Sequence, residues 1–267
     1  MADFPIDDGG RYEVDGKVNA GSTGTTLTAG AIDTKGAWVT LTATTAFDAI
    51  GLLVHLMNQS SLNYSLDIGL GAAAAETVII PDIVVKFATT ATQYSFFFPV
   101  CIPAGSRVAA RVASAVASAT LVVMVHPIAV GLMPASPLQR ATNYGFVVVG
   151  TKATLIDPGG TADTKGAWAV LSASTANPIR SAVLLFSSAE TTLVASNWEV
   201  DIGYGAAASE TILIPDLPVR TITRYTAFPT GPIPLAIPAG SRLVARAQSP
   251  QITAGSRELA LAIMGVD

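Results

Sequence analysis

The second half of this chain repeats the first. DTKGAW at Asp33–Trp38 recurs at Asp163–Trp168, and DIGLGAAAAETVIIPD at Asp67–Asp82 returns as DIGYGAAASETILIPD at Asp201–Asp216. IPAGSRVAAR at Ile102–Arg111 returns as IPAGSRLVAR at Ile237–Arg246. The offset drifts only from 130 to 134 to 135 residues, so the blocks keep their order and nearly their spacing. The chain is therefore two copies of one domain in tandem. So long a period exceeds a solenoid repeat, and each copy is expected to bury a core of its own.

The repeat divides the chain. Residues 1–20 are polar, acidic and glycine-containing, and are expected to form an extended arm outside the repeat. Domain 1 spans 21–130 and domain 2 spans 146–267. Between them, 131–145 carries Pro134, Pro137 and the polar string Gln139-Arg140-Ala141-Thr142-Asn143, which is linker chemistry.

Apolar residues recur with a period of two within each copy. Leu66, Ile68 and Leu70 point one way while Ser65, Asp67 and Gly69 point the other, and Trp198, Val200, Ile202 and Tyr204 alternate likewise with Glu199, Asp201 and Gly203. Unbroken apolar runs such as Ile50–Met57, Phe96–Ile102 and Leu259–Met264 read as central strands. Seven or eight strands per copy, separated by Gly, Pro, Ser or Asn turns, predict an all-β chain. Its fold class is two tandem homologous antiparallel β-sandwich domains, jelly-roll or Ig-like. The Ala-rich turns Gly71–Glu76 and Gly205–Glu210 have room for one helical turn.

Composition narrows the function. Charged residues make up 13% of the chain, about half the roughly 25% usual for a soluble domain. With 50% hydrophobic residues, the deficit reads as surface buried against other subunits. A net charge of −4 with 15 Lys plus Arg argues against nucleic acid as a partner. The longest apolar run, Leu121–Met133, is broken by His126 and Pro127 and is too short to span a bilayer as a helix, so no membrane partner is expected. The start, MADFPIDDGG, has no apolar h-region. The single cysteine, Cys101, excludes an internal disulfide and reads as a buried, inert thiol.

No residue pattern points to catalysis, a cofactor or a metal. His55 and His126 lie in apolar runs without a nucleophile motif beside them, and read as packing or surface residues. DIGLGAAA lacks the G-x-G-x-x-G spacing of a nucleotide turn. Carboxylates recur at Asp33/Asp163, Asp67/Asp201, Glu76/Glu210 and Asp82/Asp216. A glycosidase pair or a calcium loop would use such residues, but the calcium spacing is absent. Charges this scarce at matching places predict structural pairing: Asp67 with Arg107 and Arg111, and Asp201 with Arg242 and Arg246. A solvated face and a ligand site are the alternatives. Trp38 and Trp168, at the start of a strand, are expected to anchor the core.

With DTKGAW, DIGxGAAxxETxxIPD and IPAGSRxxAR in hand, the chain resembles β-sandwich structural proteins of tailed bacteriophage particles, capsid decoration (cement) proteins above all. The resemblance covers both copies. It implies a non-enzymatic virion protein assembled in the host cytoplasm, often a homotrimer. Its partners would be its own copies and the major capsid protein or other virion proteins. Three doubled chains would present six similar domains. Another class of function would be a tail, neck or fibre component, possibly a carbohydrate-binding receptor module. That module needs an exposed aromatic platform, and aromatics are only 7% of the chain.

Overall fold

The computed structural model describes residues 24–58, 62–87, 92–129, 140–150, 152–188, 196–221, 228–229, 231–254 and 257–267. Copy one consists of β1 (Thr25–Thr28), β2 (Val39–Thr42), β3 (Ala49–Asn58), β4 (Asn63–Leu70), β5 (Thr77–Lys86), β6 (Thr92–Phe98), β7 (Val108–Ser114) and β8 (Thr120–Ala129). These form two four-stranded sheets in the orders β1-β8-β3-β6 and β2-β7-β4-β5, antiparallel throughout. That order is the double Greek key of a jelly roll, which decides between the two sandwich types the strand pattern allowed.

Copy two repeats the plan. It contains β9 (Ala141–Tyr144), β10 (Phe146–Val147), β11 (Lys152–Ile156), β12 (Ala169–Ser172), β13 (Ile179–Ser188) and β14 (Ser196–Tyr204). After these come β15 (Thr211–Thr221), β16 (Phe228–Pro229), β17 (Ile233–Ile237), β18 (Leu243–Gln248) and β19 (Leu259–Val266). The sheet β12-β18-β14-β15 matches β2-β7-β4-β5, and β11-β19-β13 matches β1-β8-β3. The edge that β6 fills alone is shared by β16 and β17, both paired to β13.

Alternation builds the cores as expected. Leu66 and Ile68 of β4 and Val108, Ala110 and Val112 of β7 are wholly buried between the sheets of copy one. Elsewhere the local expectations need correction. β6 stops at Phe98, and Ile102 makes only an isolated bridge to Ala49. The Ala-rich segments are tight turns rather than helix, with Ala75 N–H donating to the Ala72 carbonyl and Ala74 in the left-handed region at φ 64°. Cys101 is partly exposed.

The linker expectation also changes. The arm at 1–20 and residues 131–139 lie outside the described residues, but 141–144 is a strand. β9 pairs with β19 from Ala141↔Val266 to Tyr144↔Ile263. Ala141 and Tyr144 are buried while Thr142 and Asn143 are half-buried, so the polar pair hides a strand with apolar ends. Domain 2 begins by Ala141, not at 146.

Nor are the cores separate. All eight residues of β19 are buried. Leu259, Leu261 and Ile263 face the interior of copy two, whereas Ala260, Ala262, Met264 and Val266, with Val183 and Leu185 of β13, join the core of copy one. A strand covered on both faces has no polar face, which is why its sequence does not alternate. Across the seam β5 meets β9, β11 and β13. Two backbone bonds clasp it: Gly150 N–H donates to Asp33 Oδ2 at 2.9 Å, and Asn63 Nδ2 donates to the Gly150 carbonyl at 2.9 Å. Asn143 Nδ2 also donates to the Asp82 carbonyl.

Ala262→Arg places an unpaired charge in this seam and should cost about 3 kcal/mol or more in urea unfolding. Met124→Arg, at the equivalent but half-buried position of copy one, should cost under about 1 kcal/mol.

Candidate functional site

The three repeated blocks converge on the outer face of the β2-β7-β4-β5 sheet. The DTKGAW turn follows β1 and runs along the edge of β7. Asp33 adopts φ 56°, its N–H donates to the Ser114 carbonyl, and Gly36 N–H donates to the Val112 carbonyl. Gly36 lies so close to β1 that an added Cβ would stand 2.0 Å from the Thr28 carbonyl oxygen. Held between β1 and β7 in this way, the turn extends Lys35 across to β4.

Asp67 is the hub. It faces outward from β4, yet it is only 4% exposed. Lys35 Nζ donates to Asp67 Oδ1 at 2.7 Å and to Ser65 Oγ at 2.6 Å, and lies 2.9 Å from Asp82 Oδ1. Arg111 Nε, directly across the ladder on β7, donates to Asp67 Oδ2 at 2.8 Å. The Asp82 N–H adds a bond to Asp67 Oδ1 at 2.9 Å. That N–H is free of the ladder because β5 bulges opposite Asp67, with Asp82 at φ 49° just after Pro81. The IPD triplet is thus a bulge that turns one amide onto a buried carboxylate.

Arg107 corrects the sequence-based pairing. It bonds Glu76 Oε1 at 2.8 Å and the Gly71 carbonyl at 3.0 Å through Nη1, and Thr40 Oγ1 through Nε at 3.0 Å. Arg107 precedes β7 and so sits beside the turn that carries Glu76, away from the hub. Copy two repeats the charged contacts, while Val170 and Glu199 stand where Thr40 and Ser65 supply hydroxyls. Lys165 lies 2.8 Å from both Asp201 Oδ1 and Asp216 Oδ1, Arg246 Nε is 2.8 Å from Asp201 Oδ2, and Arg242 Nη1 is 2.9 Å from Glu210 Oε1. Of the paired residues expected from sequence, Asp67 with Arg111 and Asp201 with Arg246 are brought together. Arg107 and Arg242 serve Glu76 and Glu210 instead. Lys35, Lys165, Asp82 and Asp216 were missed as members, although all lie inside the repeated blocks.

The tryptophans are not core anchors. Trp38 and Trp168 are half-buried on this outer face, with the Arg111 and Arg246 guanidinium carbons 4.6 Å and 4.5 Å from their ring centroids. Gly69 makes room for the ring, since a Cβ there would meet Trp38 at 2.8 Å. Each indole roofs its arginine and shields the ion pair from water. A buried tryptophan in copy two is instead Trp198, whose Nε1 donates to the Arg257 carbonyl.

The electrostatics follow from these partners. Burial opposes ionisation of Asp201, but the Asp216 amide, Lys165 and Arg246 together hold its carboxyl below the ordinary value of 3.8. Burial likewise opposes ionisation of Glu76, which Arg107 and backbone amides overcome, and the Arg242 bond holds Glu210 low. His55 and His126 stand outside this network, half-buried on the outer face of the other sheet, with ring centroids 4.8 Å apart and edge to face. Burial lowers both histidine pKa values. Among the described residues no cluster of three or more His, Cys, Asp or Glu is arranged to hold a metal.

No protein-family profile matches the chain, and no curated protein matches it. Among solved structures, the N-terminal CBM22-1–CBM22-2 tandem domain of Paenibacillus barcinonensis Xyn10C aligns over 97% of this chain and 91% of that one, at 11% identity and a TM-score of 0.28. At that level the likeness carries nothing over to this chain.

Asp67→Ala removes the carboxylate of Arg111 and one of the two that hold Lys35, and should cost roughly 2–4 kcal/mol in chemical unfolding. Because the folded Asp201 carboxyl has the lower pKa, its ionisation stabilises the fold above the unfolded value and is lost as pH falls through the folded one. Stability should therefore drop as pH falls below about 3.8, and Asp201→Asn should flatten that acid limb of the unfolding midpoint.

Proposed function

We propose that the chain is a non-enzymatic structural subunit of a tailed bacteriophage particle, a capsid decoration protein that binds the shell and stabilises it. The observation that carries this reading is where the charge goes. On the outer faces of the β4- and β14-containing sheets, Asp67, Glu76 and Asp82 and their counterparts Asp201, Glu210 and Asp216 are neutralised by Lys and Arg of the same copy. A general acid needs a raised carboxyl pKa, whereas Asp201, Glu76 and Glu210 are held low. The repeated blocks stiffen the domain.

The other sheet of copy one supports an interface role. Leu53, Met57, Phe97, Val122, Met124 and Ile128 form a half-exposed apolar face. A lone protomer would hold this face against water, while a subunit packed on the shell and on its own copies, as a homotrimer, would cover it. The carbohydrate-receptor alternative has less support, because Trp198 is 1% exposed and Trp38 and Trp168 each carry a guanidinium over the ring.

Purified protein added back to particles that lack it should bind saturably and raise the temperature at which they release their DNA. Unchanged release with no binding, together with one saturable hit on a glycan array, would replace the decoration reading with the receptor one.

A further inference from the structure

Both histidines of the chain and two of its five methionines stand together on one face. His55 and Met57 of β3, with Met124 and His126 of β8, are half-buried on the outward side of the β1-β8-β3-β6 sheet. They share that side because alternate residues of a strand point the same way.

The register draws three of them into a triangle. His55 is paired with Met124 across the ladder, and His126 follows Met124 by two residues. Directly opposed side chains leave a sheet about 5 Å apart, and the His55 and His126 ring centroids are 4.8 Å apart. An ion about 2 Å from one nitrogen of each ring, at a roughly tetrahedral angle, sets two such centroids about 5 Å apart. The strands therefore need not move to admit one; the rings need only turn on their side-chain bonds. The unbranched Met124 side chain has the length and freedom to bring its sulfur to the same point.

A hydroxyl orients the first histidine. His55 Nδ1 lies 2.7 Å from Oγ of Ser95, its cross-strand partner on β6. With Nδ1–H donating to that oxygen, Nε2 at the far end of the ring carries the lone pair, which is how proteins commonly hold a ligating histidine. Both imidazoles are in the neutral, ligating form at neutral pH. Burial lowers each pKa from 6.5, and His55 lowers that of His126 further.

The fold itself asks for none of these donors in copy two. There the same positions hold Leu185, Ser187, Ala262 and Met264, and Leu185, Ala262 and Met264 are packed into the core of copy one. Where such a face has only to pack, it is built without histidine. Copy one carries both histidines on the face that the seam leaves half-exposed.

The surroundings select the ion. Leu53, Ser95, Phe97, Val122 and Ile128 border the triangle and carry no charge. With no carboxylate among them to offset a second positive charge, a univalent ion costs less to desolvate here than a divalent one. A thioether beside imidazole favours Cu(I) over Zn(II).

We propose that His55, His126 and Met124 bind a single Cu(I) ion through two imidazole nitrogens and one thioether sulfur, with Ser95 orienting His55. The site belongs to copy one alone. It stands on this patch and is independent of the particle reading.

The test uses the full chain with Cys101→Ser, which keeps its thiol from competing for the metal, under anaerobic conditions with ascorbate. Competition against the chromogenic chelator bicinchoninate should show one equivalent of Cu(I) held by the protein. Ser95→Ala should weaken that binding roughly tenfold. His55→Leu, which copies the residue found at Leu185, and Met124→Leu should each weaken it at least as much at unchanged circular dichroism. Zn(II) should bind more weakly and be indifferent to Met124→Leu. A second measurement follows the methionine methyl groups by NMR. Ag(I), a redox-inert stand-in for Cu(I), should shift the Met124 signal and leave that of Met264, buried in the seam, in place. No copper held against the chelator, an affinity unchanged by His55→Leu or by Met124→Leu, or a Met124 methyl that Ag(I) does not move would each overturn the site.

Discussion

An outward-facing carboxylate that is almost wholly buried has to be ionised and fully bonded, or it unfolds the strand that carries it. Asp67 and Asp201 meet that demand in the same way. A lysine descends from the turn after the first strand, an arginine reaches across the ladder, and a bulge donates an amide. Each partner comes from a different repeated block, so the hub ties the turn, β4, β5 and β7 into one unit. Ion pairs in a dry site seldom add much net stability over an apolar alternative, but removing one partner is costly. What they specify is register: only one alignment of β4, β5 and β7 brings Asp67, Asp82 and Arg111 together. This accounts for the near-identity of the two copies in these blocks while their apolar strands differ.

The seam shows what duplication does to an all-β sandwich. Copy two covers β5 of copy one with a sheet face that, in copy one itself, stays half-open. The two copies are thus alike in fold and unlike in environment. Positions such as Val84 and Pro218 differ for that reason: one is buried, and the other is exposed.

Much of this was legible in the residues. The period-two pattern of Leu66 and Ile68 against Ser65 and Asp67 identified β4 and its faces, and opposite charges on matching strands pointed to Asp67 with Arg111. The rest depended on distance in the chain. Lys35 reaches Asp67 because the turn runs along the edge of β7 with Gly36 close against β1, and no local pattern announces that. Arg107 went to Glu76 because β7 begins one residue later. Trp38 reads as core by its chemistry, yet Gly69 leaves a flat place for it outside. β9 hid behind Thr142 and Asn143, the second of which faces the other copy and bonds its Asp82 carbonyl. The jelly-roll order, too, is a matter of which distant strands pair, and alternation is silent on that.

The doubly covered β19 orders events during synthesis. It emerges from the ribosome after every other strand described, and until it does, copy two lacks its central sheet member and copy one lacks part of its wall. The first domain must wait, half-finished and greasy, for more than a hundred further residues to be added. A nascent chain with that schedule depends on chaperones or rapid translation for far longer than either jelly roll would alone.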